Sequence, residues 1–198
     1  MGLLGHYGTV TKKETRTYFP RRGILAAVIV SVAIIDQLTK IIALKTLDGR
    51  PAVQVLGDLF ELRLVFNPGA AFSFGTNATW VFTTLQLVYI LAVMCCSHWL
   101  RSPISATAAG LIAGGALGNL IDRLFREPGF YVGHVVDFLS VKGFAVFNIA
   151  DSAITVGVII LVIWMVFSKE PDLFADQIAA EKKSAQKNQK QLAEGGQQ

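Results

Sequence analysis

Four apolar runs, at about residues 24–46, 79–99, 104–125 and 148–167, constrain this chain more than any other feature of its sequence. A helix rises 1.5 Å per residue, so about 20 apolar residues match a hydrocarbon layer roughly 30 Å thick. The runs carry most of the 53% of hydrophobic residues, and only 16% of the chain is charged, against about 25% in an ordinary soluble domain. A single soluble core would scatter its apolar residues with amphipathic periodicity instead of gathering them into runs. The fold class that follows is mostly α: a polytopic membrane protein whose four-helix transmembrane bundle occupies about residues 23–167. The first run follows Arg21 and Arg22, as a signal peptide would, but it is too long, lacks a small-x-small cleavage site and contains Asp36 and Lys40. It reads as a retained span.

The connections differ in kind. Residues 47–78 hold Gly49, Pro51, Gly57, Pro68, Gly69 and Gly75, and "VQVLGDLFELRLVFN" between them alternates apolar and polar positions. That pattern predicts short strands forming a small β-cradle at the membrane surface. Residues 126–147 read as a second, irregular outer loop. Within the third span, Gly110, Gly114 and Gly118 recur every four residues and predict a groove for a close-packed helix. Residues 1–22 and 168–198 read as polar tails, the second as disordered. Most basic residues, including Lys12, Lys13, Arg16, Arg101, Lys182 and Lys183, fall in the tails and the Arg101 turn. The positive-inside rule then puts both termini in the cytoplasm, with the cradle and the 126–147 loop extracytoplasmic.

The net charge of +4 and pI near 9.2 therefore report topology and not nucleic-acid binding, since no basic patch interleaved with aromatics is present. Cys95 and Cys96 are adjacent, without ligand spacing. His6, His98 and His134 are scattered, with no HExxH and no GxSxG. No metal or cofactor is expected, and His134 reads as a solvated loop residue.

Each ionisable residue inside a span costs at least about 2–3 kcal/mol and so needs a reason. Asp36 and Lys40, four apart, either neutralise each other across one turn or serve a function. Asn119, Asp122 and Arg123 share a face near the end of the third span, and the partners of Asp122 and Arg123 should lie on other segments. Asp137 in "HVVDF" and Asp151 in "FNIADSAI" sit near the outer surface, Asp151 in the first helical turn behind Asn148, an N-cap residue. Two such carboxylates, if they meet, share a proton. One can activate water while the other polarises a carbonyl. The residues alone leave this dyad and separate structural pairing equally open. They also admit a proton-coupled carrier built on Asp36, Asp122, Asp137 and Asp151, or a scaffold whose polar groups only join helices.

"DQLTK" (Asp36 to Lys40), "NPGAAFSF" (Asn67 to Phe74), "GGALGNLIDR" (Gly114 to Arg123), "HVVDF" (His134 to Phe138) and "FNIADSAI" (Phe147 to Ile154), in this order, resemble bacterial signal peptidase II, the lipoprotein signal peptidase family. The resemblance covers roughly Gly23 to Phe167 and implies catalytic aspartates at Asp137 and Asp151. It implies supporting roles for Asp36, Lys40, Asn67, Gly118, Asn119, Asp122, Arg123, Asn148 and Ala150, and a cover over the site from residues 66–74. It further implies an aspartic endopeptidase in the bacterial inner membrane. Its substrates would be diacylglyceryl-modified prolipoproteins, cut just before the lipidated cysteine. Its partners would be those substrates and membrane lipid, with no nucleic acid and no obligate protein partner.

Overall fold

The computed structural model describes residues 19–69, 78–100, 102–168, 182–186 and 188–189. Among these described residues, four helices are long and apolar enough to cross a membrane. These are α1 (Phe19–Leu47), α2 (Thr79–Cys96, continued by a 3-10 turn at Ser97–Trp99), α3 (Pro103–Phe125) and α4 (Ile149–Phe167). Helix α1 begins before the apolar run does, because Arg21 and Arg22 can extend a helix into the interface while their charges stay wet. Pro103 in the first turn and a reciprocal Ser102–Ser105 capping box start α3. Arg101, the tails outside the residues above and residues 70–77 lie outside the described residues. That includes Ala70 to Phe74 of the asparagine motif and so most of the expected cover.

Helix α3 is the centre of the bundle and packs against each of the other spans. Its glycines explain why. A Cβ on Gly110 would meet Val28, one on Gly114 would meet Val32 and Ile29, and one on Gly118 would meet Asp36, so the four-residue repeat is the seat of α1. Gly115 faces α4 instead, against the Ala150 carbonyl, and Gly157 of α4 returns the close approach at Ala108 and Ile112. Outward faces such as Ile34, Leu38, Ile42, Val158 and Val162 stay exposed, as lipid-facing surfaces must. Helix α2 packs mainly on α3.

The sheet has three strands in the order β1 (Val53–Leu56), β2 (Phe60–Asn67), β3 (Val135–Val141), both pairs antiparallel. The third strand corrects the sequence reading, which left residues 126–147 irregular and confined the cradle to residues 47–78. Gly133 and Gly143 flank a seven-residue run whose strand character is realised only by pairing with β2. Phe138 of β3 packs with Ala43 and Leu47 of α1, fixing the sheet to the end of the bundle remote from the start of α1.

Candidate active site

Register places the first side chains. Asn67 pairs with Val135 and Val65 with Asp137, so Asn67 and Asp137 are diagonal neighbours on one face of the sheet. Asn67 Nδ2 donates to Asp137 Oδ2 at 2.9 Å. Asn148 caps α4 by accepting the Asp151 N–H at 3.0 Å, while Asp151 Oδ2 accepts the Asn148 N–H at 3.2 Å. The same Asn148 donates through Nδ2 to Asp137 Oδ1 at 2.6 Å. One asparagine thus touches both aspartates, the first by its amide nitrogen and the second by its amide oxygen. Asn119 Nδ2 donates to Asp151 Oδ1 at 2.8 Å, and Asn119 Oδ1 accepts from Asn148 Nδ2 at 3.1 Å.

Both carboxylates line one cleft of about 660 Å³ between α2, α3, α4 and the sheet. Asp137 is only 1% exposed. Burial, followed by the neighbouring Asp151 carboxylate, pushes the Asp137 carboxyl from 3.8 up to about 7, against the opposing hydrogen bonds from Asn67 and Asn148. Arg123 also lines the cleft. Its Nη2 donates to the Gly69 carbonyl at 2.8 Å, while its Nε and Nη1 are buried without a partner among the described residues.

The remaining predicted residues form a layer behind the cleft. Lys40 is fully buried and bonds Asp36 at 2.7 Å, Asp122 at 2.8 Å and Asn119 at 2.9 Å. The helical-turn pairing of Asp36 with Lys40 is therefore present, but Asp122 shares the lysine. Asp36 Oδ1 accepts the Ala150 N–H at 2.9 Å, and Asp122 Oδ2 accepts the Val136 N–H at 3.1 Å. Each grips the backbone beside one aspartate of the cleft. Sequence reasoning missed Arg126, just past the end of α3, which bonds Asp122 at 2.5 Å from one turn later. The i, i+4 spacing was the available signal. It also missed Gln37, which donates to the Gly118 carbonyl at 2.9 Å and Asp122 Oδ1 at 3.2 Å, and Gln86, which lines the cleft. His134 is not among the cleft-lining residues.

Gly118 has no room for a side chain, since a Cβ there would stand 2.5 Å from Asp36 Oδ2. Gly118→Ala is expected to destabilise the protein by about 1–3 kcal/mol, the usual cost of overpacking. Equilibrium unfolding in mixed micelles checks this; unchanged stability would mean that Asp36 has another position open to it.

A solved bacterial membrane enzyme, determined by the in meso method at 2.3 Å, superposes on this chain with a TM-score of 0.67 at 29% identity, covering 78% of this chain and 94% of that one. The fold is thus that of a bacterial membrane enzyme, built here on four helices able to cross a membrane among the described residues. The model of the Signal peptidase (SPase) II family matches residues 28–167. The lipoprotein signal peptidase of Rhodococcus jostii (strain RHA1) is 49% identical over 154 residues, 77% of each chain. That of Mycobacterium tuberculosis (strain ATCC 25618 / H37Rv) is 44% identical over 154 residues, 77% of this chain and 76% of the relative. The chain belongs to the signal peptidase II family and is a membrane peptidase.

Proposed function

We propose that this peptidase removes signal peptides from diacylglyceryl-modified prolipoproteins, cutting just before the lipidated cysteine, with Asp137 and Asp151 as its catalytic pair. The observation that carries the reading is the Asn148 side chain, which touches both aspartates in one cleft. Asp137, pushed up to about 7, holds the proton and donates to the scissile carbonyl. Asp151 accepts hydrogen bonds from Asn119 Nδ2 and the Asn148 N–H, which hold its carboxyl group in place, and it takes a proton from the attacking water. As the tetrahedral intermediate collapses, the proton that Asp151 took from water passes to the leaving amine, and Asp137 recovers a proton from the gem-diol hydroxyl as the new carboxyl forms. Asn67, Asn119 and Asn148 hold the pair, and Arg123 faces the peptide. The cleft, lined by residues of both α2 and α4, takes in a membrane-spanning signal peptide while its acyl chains stay in lipid. Both termini lie in the cytoplasm and the cleft at the outer surface of the inner membrane, the orientation that the basic tails favour.

The test is direct. Purified protein in detergent, incubated with a diacylglyceryl-modified precursor, should release a product lighter by the signal peptide, and a precursor without the lipid should remain intact. Failure to cut the lipidated precursor overturns the reading. The acid role of Asp137 adds a pH signature: kcat/KM should fall as pH rises through about 7, because the carboxyl then loses the proton that it donates. A rate that is flat from pH 6 to 9 would assign the proton elsewhere.

A further inference from the structure

The wall of the cleft formed by α2 is apolar except at one point. Phe82 and Leu85 line it, and Gln86 lies beside them. The Gln86 side-chain oxygen Oε1 is fully buried and has no hydrogen-bond partner among the described residues. A glutamine in a membrane span is costly, and a buried amide oxygen left unpaired is costlier still, so the empty protein gains nothing from this group. On α3, lining the same cleft, Arg123 Nε and Nη1 are buried and equally unpartnered among the described residues. Gln86 lies seven residues below the start of α2 and Asn119 six residues below the end of α3, which puts both roughly 10 Å into the bundle.

The cleft thus offers one spare acceptor on α2 and spare donors on α3. A peptide unit presents the complementary pair. A signal peptide can cross lipid as a helix because its N–H and C=O groups bond each other, but a peptide bond must leave that ladder to be attacked. The freed N–H and C=O then need partners in a site from which water is largely absent. We infer that Gln86 is a substrate-binding residue, its Oε1 accepting a backbone N–H that the bound signal peptide frees when it unwinds near the scissile bond, while Arg123 donates to a carbonyl of the same stretch. The inference rests on the peptidase reading and adds α2 to a site otherwise built from α3, α4 and the sheet.

Gln86→Met keeps the length of the side chain and removes the amide. It should raise KM for a lipidated precursor about three- to ten-fold with kcat changed by less than about two-fold, the pattern of a lost binding contact worth one hydrogen bond. The empty variant should melt no lower than wild type, because an unpaired buried polar group has gone; a purely structural glutamine would show the opposite. A series of lipopeptides with single backbone amides replaced by esters locates the contact. Wild type should lose affinity at one position near the cleavage site, and Gln86→Met should lose nothing further there. The inference is overturned if KM and the lipopeptide-induced rise in Tm match wild type in the variant, if no ester position is silenced by it, or if lipopeptide produces no rise in Tm in wild type. A lipopeptide that raises Tm through Gln86 but is not cut would overturn the peptidase reading and leave the contact standing.

Discussion

Replacing either Asp137 or Asp151 with Asn is expected to lower kcat/KM for a lipidated precursor by two to four orders of magnitude, with the fold intact. Positioned acid–base groups contribute factors of about 10² to 10⁴, and each residue here has a separate proton to move. The substitutions are nearly isosteric. At position 137 an amide oxygen can still accept from Asn148 Nδ2, which lies 2.6 Å from the carboxylate in the native protein. Because the pair acts as a unit, the double variant should be no slower than about the worse single one. Stability should move in a defined direction with pH. The folded-state value of Asp137 lies above the unfolded one, so its stabilising contribution is full below pH 3.8 and is lost as pH rises through about 7. Asp137→Asn lacks this dependence, and its Tm should therefore gain on wild type across that window and then run parallel. Cleavage at more than a tenth of the wild-type rate in either variant would remove the dyad from the mechanism.

What the sequence makes legible follows from the range of the forces involved. The spans show because a run such as 148–167 is apolar whatever surrounds it. The groove at Gly110, Gly114 and Gly118 shows because helical periodicity alone puts those residues on one side, and α1 fills it at Val28, Val32 and Asp36. The Asn148 cap is local too, needing only the residues from 148 to 151. Strand β3 is different: "VVDFLSV" is short, flanked by glycines, and becomes a strand through bonds to residues about 75 positions earlier. Gln86 was hidden for a related reason. One polar residue in a span signals little until the helix facing it is known. Arg126 lay at the boundary between helix and loop, and only the observed end of α3 at Phe125 puts its guanidinium one turn from Asp122.

Lys40→Met is the second substitution with a large expected effect, and it acts at a distance from the chemistry. Lys40, Asp36 and Asp122 are all fully buried, and the ammonium bonds both carboxylates. Removing it leaves Asp36 with no ion pair among the described residues, while Asp122 keeps Arg126. Breaking a buried ion pair from one side costs about 3–5 kcal/mol, a large part of the 5–15 kcal/mol that stabilises a typical domain. Lys40→Arg should not restore it, since a planar guanidinium is bulkier than an ammonium and the site has no exposure into which it could extend. Asp36→Asn added to Lys40→Met should recover part of the lost stability by removing the uncompensated charge. Activity should recover less, because the Asp36 carboxylate accepts the Ala150 N–H beside Asp151, just as Asp122 accepts the Val136 N–H beside Asp137. The lysine joins the two grips, so it is expected to set the spacing of the proposed pair from a position behind the cleft. Equilibrium unfolding in mixed micelles and precursor cleavage, measured on the same three variants, separate the two effects. If Lys40→Met unfolds within about 1 kcal/mol of wild type and retains its rate, the buried cluster does not set the spacing of the aspartates. The same neutralised cluster argues against a proton carrier, since Asp36 and Asp122 are held as ion pairs around a buried ammonium and offer no free carboxylate for a relay.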